Sequence, residues 1–300
     1  MSAIKTITTY KLDYMQARTD ADFTDVEPII SSFSEFDKQG HLLAENTYLA
    51  NGEIEHKSEL KYNEKGLLIE EVLINDEDTI DEKKAYEYNG KDQIVKEFLI
   101  YQDESFDTTT YVYDDSGKLI EKITVDPDGE LESRKEFKYE KENLAKEVSF
   151  DAEGKILKEI NYVFDEKGNE TEIRRYDAEE EKEIRTEFVY NEEGKQSESL
   201  VYNPKGELVA HNFYTENEKG QVIEIIEKDQ YSQSTTALTY DENGNMTEQL
   251  ETNEAGELNS RILRQFDENN NLVEVAVTND RHGMGLNQNY VIQYHYEYFD

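Results

Sequence analysis

Residues 161–170 read NYVFDEKGNE, and this stretch decides the fold. Tyr162 and the aromatic Phe164 fall on alternate positions, and Phe164 is followed by Asp165, two polar residues and Gly168. Alternation with a period of two is typical of a β-strand, and an Asp followed three residues later by Gly is typical of a tight turn. The stretch therefore predicts a strand, a hairpin turn and the beginning of the returning strand.

The same formula returns about every 26 residues, a period that indicates a repeat protein. The aromatic position holds Phe36, Tyr62, Tyr88, Tyr113, Tyr139, Phe164, Tyr190, Tyr240 and Phe266, with Glu216 in the one exception. The fourth position of the turn holds Gly40, Gly66, Gly117, Gly168, Gly194, Gly220 and Gly244, and in the other copies Asp92, Asn143 and Asn270. A type I turn closed by a one-residue bulge needs a left-handed residue there, and Gly, Asn and Asp tolerate this conformation best. We therefore expect all ten copies to be such turns, which we call first turns.

A second turn follows about 12 residues after each first turn, at the spacing expected of short antiparallel strands. It reads LANGEI at 49–54, DPDGEL at 126–131, DAEGKI at 151–156, NPKGEL at 203–208 and NEAGEL at 253–258. Each repeat is then two strands and two turns. About ten repeats predict about twenty antiparallel strands in one continuous meander.

The predicted fold class is all-β, an antiparallel β-meander repeat array. Twenty strands spaced about 4.8 Å apart would make a flat sheet roughly 95 Å wide. A twist of about 20° per strand would accumulate to more than a full turn. We therefore expect a sheet that is coiled into a curved or spiral, partly closed form, with its aromatic face hidden.

The pattern also suggests how the chain is organised. Residues 1–33 are irregular and are interpreted as an N-terminal cap, because terminal repeats are usually atypical. Residues 34–278 are the repeat array, and residues 279–300 are a C-terminal loop followed by an aromatic capping strand, YVIQYHYEYFD at 290–300. The whole is expected to be a single domain.

The repeat resembles a known family. TYVYDDSGKL at 110–119 and LTYDENGNM at 238–246 carry a Tyr-Asp-x-x-Gly unit followed by an apolar residue, which is similar to the RHS/YD-repeat family. The resemblance covers about residues 34–275, whereas the high Glu content and the absence of a terminal toxin-like or protease-like region depart from it. Membership would imply arrays of β-strands that coil into shells around a polypeptide, or that serve in binding and cell-surface contact.

The charge of the chain restricts its partners. The formal net charge is −38, from 70 acidic and 32 basic residues. Such a field repels nucleic acids and anionic membranes and attracts a basic partner. A structural alternative is that the excess Glu keeps an edge-rich sheet soluble.

The residues and segments that the sequence lacks restrict the kinds of site and the cellular location that we expect. The chain contains no Cys, which excludes disulfides and thiolate sites. No signal peptide or long apolar run is present, so a cytoplasmic location is expected, or a surface or secreted one if an export signal has been removed.

A recurring Glu is the main candidate for a binding site. It follows the fourth position of the first turn by four residues, at Glu70, Glu121, Glu147, Glu172, Glu198, Glu224, Glu248 and Glu274, and one residue later at Glu45 and Glu97. Counting back across the hairpin places Tyr111 opposite Glu121, Tyr162 opposite Glu172 and Phe188 opposite Glu198. We name these eight Glu residues the Glu ladder and expect it, with Tyr111 and Tyr162, to form an acidic, Tyr-lined groove for a cationic partner.

The same residues have a purely structural interpretation. The Glu side chains could lie at the solvated margin of the sheet, hydrogen-bonded to Tyr or paired with Lys, or a bulge could turn them outward.

Evidence for catalysis or metal binding is weak. Asp126-Pro-Asp128-Gly and Asp241-Glu-Asn243-Gly-Asn245 alternate oxygen ligands but lack the late Glu of a calcium loop, so hairpin turns explain them better. The five His residues have no zinc spacing, and His282 in the pattern-breaking loop has no nucleophile elbow with it. We expect no enzyme activity, no catalytic residues, no metal and no cofactor.

These observations favour a non-catalytic protein-binding β-repeat module. It would bind a basic partner, for instance a toxin that it neutralises as an immunity protein or a client that it escorts, through an acidic, Tyr-lined concave face. The alternative is a cell-surface repeat protein that binds carbohydrate on exposed Tyr residues.

Overall fold

The structure is a computed structural model, and it describes residues 3–13, 27–280 and 288–300. All regular secondary structure in these ranges is β-strand, and 22 strands form one antiparallel sheet. The predicted all-β meander is confirmed. The predicted C-terminal loop at 279–289 lies mainly outside the described residues, and so does part of the predicted N-terminal cap at 1–33.

In chain order, the strands are β1 (Ile4–Asp13), β2 (Ile29–Phe36), β3 (Leu42–Tyr48), β4 (Ile54–Tyr62), β5 (Leu68–Asn75), β6 (Ile80–Tyr88), β7 (Ile94–Ile100), β8 (Phe106–Tyr113), β9 (Leu119–Val125), β10 (Leu131–Glu140), β11 (Asn143–Phe150), β12 (Ile156–Phe164), β13 (Glu170–Asp177), β14 (Lys182–Tyr190), β15 (Gln196–Tyr202), β16 (Leu208–Glu216), β17 (Val222–Asp229), β18 (Gln233–Tyr240), β19 (Met246–Asn253), β20 (Leu258–Phe266), β21 (Leu272–Asn279) and β22 (Gln288–Tyr298).

The chain divides into two compact units. The terminal unit comprises Met1–Glu59, Ile74–Thr79 and Asn212–Asp300, and the central unit comprises Leu60–Leu73 and Ile80–His211. The sequence-based division into cap, array and capping strand follows other criteria and stays a prediction.

The central unit contains an uninterrupted meander. From β6 to β15, each strand pairs in antiparallel fashion with the next one along the chain. First turns therefore lie at one end of these strands and second turns at the other, because successive hairpins reverse direction.

The terminal unit joins the two ends of the chain. Strands β17 to β22 pair in succession, β22 pairs with β1, and β1 continues through β2 and β3 to β4. The aromatic C-terminal stretch therefore forms a strand that pairs with the N-terminal one. Pairing runs from Ile4↔Tyr298 to Asp13↔Tyr290.

The first turns have the predicted chemistry. In the turn at 165–169, the Gly168 amide donates to the Asp165 carbonyl at 3.1 Å, and the Asp165 amide donates to the Asn169 carbonyl at 2.9 Å. The Asp165 carboxylate also accepts the amides of Lys167 at 2.8 Å and Asn169 at 2.9 Å. The backbone at Gly168 is left-handed, with φ of 90°. Side-chain and backbone bonds together hold this turn.

One of the ten turn predictions is wrong. Asp92 and Asn270 have the expected left-handed φ of 61° and 65°, but in the fifth copy the left-handed residue is Lys141, with φ of 55°. In that copy Glu140 pairs directly with Asn143, so Asn143 already belongs to the returning strand. The loop is two residues long, and the fourth position no longer needs a special conformation.

The bulge at each first turn also corrects a predicted register. Tyr111 lies opposite Lys122, and Val112 lies opposite Glu121, because the register shifts between Val112 and Tyr113. In the same way Val163 faces Glu172 and Val189 faces Glu198. Simple counting across the turn omits the extra residue of the bulge, which moves every later side chain to the other face.

The core is thin. The buried apolar residues of the described chain are Val72, Val148, Ile173 and Val277, and the buried polar ones are Thr6, Ser34, Asp107, Ser199 and Thr236. None is aromatic, so the aromatic face is half-buried rather than hidden as predicted. The backbone ladder and cross-strand pairs must therefore carry much of the stability.

Candidate binding surface

The register assigns the predicted site residues of the central unit to opposite faces. Tyr111 shares a face with Lys122 and Lys135, and the same cross-strand rows lead to Tyr162. Glu121 and Glu172 lie on the other face, opposite Val112 and Val163. The Glu ladder and the tyrosines therefore do not line one groove throughout.

One face nevertheless combines tyrosines with carboxylates. The Tyr162 hydroxyl donates to Glu147 at 2.8 Å, which brings together two residues of the predicted site. The Tyr111 hydroxyl donates to Glu97 at 2.6 Å, one residue displaced from the ladder position. We name the set Tyr86, Tyr111, Tyr162, Glu71, Glu97 and Glu147 the Tyr–carboxylate surface; its third bond joins Tyr86 to Glu71 at 3.3 Å.

The hydroxyl groups of this surface remain protonated donors. Burial raises the pKa of Tyr86 and Tyr111 above the ordinary range, and the neighbouring carboxylates raise it further. Burial and the bond to Glu147 raise the pKa of Tyr162 to about 12. Burial disfavours ionisation of Glu147, but hydrogen bonds from Lys135 and Tyr162 outweigh it and lower the pKa of the carboxyl. At neutral pH the surface thus presents protonated phenols and an ionised carboxylate.

The surface already binds the chain's own cations. The Lys122 ammonium lies 4.5 Å from the ring centroid of Tyr111, and the Lys135 ammonium lies 5.1 Å from that of Phe137. Lys135 also forms an ion pair with Glu147. Aromatic faces and carboxylates of this kind attract ammonium and guanidinium groups.

The opposite face of the central unit is a network of ion pairs. Glu172 accepts from Arg174 at 2.6 Å and from Arg185 at 3.5 Å, and the bond from Arg174 is the main cause of its lowered pKa. Arg134 lies 3.9 Å from Glu121, and His211 lies 2.6 Å from Glu198.

The remaining ladder residues also have neighbours within their units. Glu70 pairs with Lys61 at 2.6 Å and Lys83 at 3.0 Å in the central unit. In the terminal unit Glu248 pairs with Arg261 at 2.7 Å, Glu274 accepts from Gln265 and Gln293, and Glu224 lies opposite Ala237. These contacts match the structural interpretation of the ladder, and a binding role for it stays a prediction.

Successive repeats are joined by a contact that was not predicted from the sequence. The Tyr139 hydroxyl donates to the Leu119 carbonyl at 3.0 Å, beyond the last pairing of β9 with β10 at Glu121↔Glu136. The equivalent bonds join Tyr88 to Leu68, Tyr113 to Ile94, Tyr190 to Glu170 and Tyr240 to Val222. In the last strand, which no first turn follows, Tyr296 makes a similar bond to Leu272. The tyrosine before a first turn therefore ties that turn to the preceding repeat. The available signal was the preference for Tyr over Phe at this position.

The described residues also bear on the suggested metal sites. Among them, no group of three or more His, Asp or Glu side chains is arranged to hold a metal ion. The suspected calcium loops are hairpin turns, closed by amide bonds from Asp126 to Glu130 and from Asp241 to Asn245. His282 lies outside the described residues. None of the described residues belongs to a helix that could cross a membrane.

Comparison with known proteins finds similarity of structure only. No protein-family model matches the chain, and no curated protein sequence matches it either. A porin-like protein from Bacteroides uniformis ATCC 8492 is similar over 99% of this chain and 98% of its own, with 11% identity and a TM-score of 0.32. TcdB2-TccC3 without its hypervariable C-terminal region is similar over 98% of this chain and 18% of its own, with 12% identity and a TM-score of 0.29. Likenesses at this level carry no information about a partner or an activity.

Proposed function

We propose that this protein is a non-catalytic binding module for a basic protein partner, which it contacts through the Tyr–carboxylate surface. The partner would be a toxin that it neutralises or a client that it escorts. Membership of the RHS/YD-repeat family is part of the same proposal and rests on the repeat chemistry described above.

The observation that carries the proposal is the set of three tyrosine hydroxyls that each hold a half-buried carboxylate on one face of the central unit. Carboxylates fixed in this way lose little side-chain entropy when a partner's Lys or Arg approaches. Lys122 over Tyr111 illustrates the contact that such a cation would make. The net charge of −38 would speed the encounter with a basic partner.

The test is capture of a partner by immobilised protein from a lysate of the source organism, followed by affinity measurement at low and high salt. The variant Glu71→Gln/Glu97→Gln/Glu147→Gln neutralises the Tyr–carboxylate surface. Its matched control is Glu121→Gln/Glu172→Gln/Glu198→Gln, which neutralises the same number of carboxylates on the opposite face. We expect about a tenfold weaker affinity for the first variant and a much smaller change for the control.

Two results would contradict the proposal. Equal losses in both variants would mean that only the overall charge matters, and capture of no basic protein would remove the proposed partner class. Binding to glycans that does not weaken with salt, and that is lost when Tyr111 and Tyr162 are replaced by Ala, would establish the carbohydrate alternative instead.

A further inference from the structure

One arginine on the face of the central unit opposite the Tyr–carboxylate surface shows how this fold holds a guanidinium group. The guanidinium carbon of Arg185 lies 4.0 Å from the ring centroid of Tyr202. The same group forms ion pairs with Glu187 and, at 3.5 Å, with Glu172. The Tyr202 hydroxyl donates to Glu187 at 3.1 Å. The guanidinium is therefore held over a phenol ring and by two carboxylates, one of which the phenol itself orients. We name these four residues the internal arginine site.

The Tyr–carboxylate surface contains the same kinds of group around Tyr86. The Tyr86 hydroxyl donates to Glu71 at 3.3 Å, and Glu97 lies directly opposite Tyr86 on the neighbouring strand β7. All three residues are half-buried. Burial raises the pKa of the Tyr86 hydroxyl, and the charges of Glu71 and Glu97 raise it further, so both carboxylates lie close to the phenol. We name Tyr86, Glu71 and Glu97 the Tyr86 site.

The Tyr86 site differs from the internal arginine site in its cations. Among the residues that the structure describes, no Lys or Arg lies over the Tyr86 ring, and none forms an ion pair with Glu71 or Glu97. Lys84 is on the same face, two residues away along β6, but its ammonium is bonded to Glu82 at 2.6 Å. That bond is the main cause of the raised pKa of Lys84, whereas Glu71 and Glu97 act on it only through their charges. The two carboxylates of the Tyr86 site are therefore not neutralised by a direct contact.

The other pairs of a tyrosine hydroxyl with a carboxylate in the described part of the central unit are each satisfied or inaccessible. These pairs are Tyr101 with Asp107, Tyr111 with Glu97, Tyr162 with Glu147 and Tyr202 with Glu187. Lys122 lies over the Tyr111 ring, Lys135 forms an ion pair with Glu147, and the Tyr202 ring belongs to the internal arginine site. Asp107 is only 7% exposed, which puts its carboxylate out of reach of a partner. The Tyr86 site is therefore the accessible pair that has no cation from its own chain.

The arrangement of the two carboxylates favours a guanidinium over an ammonium group. Glu71 and Glu97 come from different strands, β5 and β7, so a cation on the Tyr86 ring meets two separate carboxylates. The tyrosine bonds use the Oε2 atom of each carboxylate, and the Oε1 atoms remain as acceptors. A planar guanidinium has five N–H donors and can bond two carboxylates while its face covers a ring, whereas an ammonium is a compact point charge. We propose that the Tyr86 site binds an arginine side chain of the basic partner, which stacks on Tyr86 and bonds to Glu71 and Glu97.

This inference rests on the proposed function and deepens it, because the Tyr86 site is part of the Tyr–carboxylate surface. The proposed function requires only that the partner be basic. The inference adds that the surface distinguishes arginine from lysine, and that it does so at Tyr86.

The probes are two labelled synthetic peptides of equal length and equal charge. One has Arg and the other has Lys at every basic position in a Gly/Ser background. Fluorescence anisotropy with the full chain should give about fivefold tighter binding for the Arg peptide, because only a guanidinium bonds both carboxylates while it covers the ring. The variant Glu71→Gln/Glu97→Gln retains the shape of both side chains and should bind the two peptides equally.

The matched control changes two carboxylates beside a different tyrosine. Glu172→Gln/Glu187→Gln alters the internal arginine site, where Arg185 already covers the Tyr202 ring, and should leave the preference for the Arg peptide unchanged. Three results would overturn the proposal. These are equal binding of both peptides to the unmodified protein, an unchanged preference in the Glu71→Gln/Glu97→Gln variant, and loss of the preference in the control.

A second set of variants tests the ring separately from the carboxylates. Tyr86→Phe retains the ring and loses the bond that orients Glu71, whereas Tyr86→Ala loses both. We expect the preference for the Arg peptide to fall in the Phe variant and to fall further in the Ala variant. Tyr162→Ala is the control, because the carboxylate that Tyr162 holds is already paired with Lys135. An equal preference in Tyr86→Ala and Tyr162→Ala would also contradict the proposal.

The Tyr86 site and the proposed function can fail separately. A basic partner captured by the unmodified protein, together with no preference for the Arg peptide, would leave the proposed function in place and remove the Tyr86 site. A preference for Arg that disappears in the Glu71→Gln/Glu97→Gln variant, together with capture of no basic protein, would leave the site in place and remove the proposed partner class.

Discussion

The two ends of the strands in the central unit differ in how strongly their turns are constrained. Four of its first turns close at Gly66, Gly117, Gly168 and Gly194, all with left-handed backbones. In its other two first turns the left-handed residue is Asp92 or Lys141, and in its second turns it is Gly129, Gly154 or Gly206 in three and Glu104 or Glu181 in two. The first turns are also tied to their neighbours by tyrosine bonds such as that from Tyr190 to Glu170. Both ends use Gly at most of their left-handed positions and admit other residues at the rest, so the tyrosine bonds are the main difference between them.

The two ends of the strands also differ in the charge of their turns. The first turns at 63–67 and 89–93 each balance one acid with one Lys, whereas the second turns at 75–79 and 126–130 each contain three acids and no base. The second turns of the central unit are on the whole more acidic than its first turns, although those at 151–155 and 203–207 each contain one Lys. This comparison suggests that the first turns maintain the architecture and that the second turns are available for recognition.

The largest change in stability should come from replacing a left-handed glycine in a first turn. Gly168→Ala should lower the free energy of unfolding by about 1–2 kcal/mol, because an L-residue with a Cβ atom is strained at this conformation. Gly90→Ala is the control, since Gly90 has open space around it and no left-handed φ. That change should stabilise the protein by about 0.4–1 kcal/mol through the unfolded state. Urea unfolding followed by circular dichroism measures both, and effects of the same sign would contradict the account of the first turn.

A smaller change in stability should come from removing a tyrosine bond that joins a first turn to the preceding repeat. Tyr190→Phe removes the 2.6 Å bond from its hydroxyl to the Glu170 carbonyl and should lower the free energy of unfolding by about 0.5–1.5 kcal/mol. Tyr231→Phe is the control, because Tyr231 is 87% exposed in a second turn. If both variants had the stability of the unmodified protein, the tyrosine bonds would not constrain the first turns.

The smallest change in stability should come from a substitution in a second turn, and this substitution should be stabilising. Glu104 has a left-handed φ of 69°, so Glu104→Gly should relieve strain and raise the free energy of unfolding by about 0.5–1 kcal/mol, after the greater flexibility of Gly is subtracted. Glu153→Gly, in a turn that already has its left-handed glycine at Gly154, should instead lower it by a similar amount. A lower free energy of unfolding for Glu104→Gly would mean that the native residue at this second turn stabilises it, as the native residues do at the first turns.

The architecture was largely predictable because turn chemistry is local. Asp165 and Gly168 lie in one short segment, and the same bonds recur wherever that segment recurs. The predicted exception at Asn143 failed because Lys141 provides a shorter loop, and a preference for Gly, Asn or Asp does not distinguish these two loop lengths.

The candidate site was less predictable because the register between paired strands decides on which face of the sheet each side chain lies. The extra residue at the bulge between β8 and β9 puts Glu121 on the face opposite to that of Tyr111, and Tyr111 bonds instead to Glu97 of the other neighbouring strand, β7. The exposure of Phe106 and Leu131 could not be read from their apolar character, which by itself predicts burial. Only the pairing in space shows which apolar residues cover one another and which face solvent.

The pairing of β1 with β22 has a mechanical consequence. Ile4 lies opposite Tyr298, so the two ends of the chain leave the sheet at the same end of an antiparallel pair. A force that pulls the termini apart would therefore break the hydrogen bonds one after another, as in a zipper, rather than load them together in shear. Traction on the termini should open the sheet at low force, at the seam between β1 and β22, while traction between positions at opposite ends of the same two strands should meet far greater resistance.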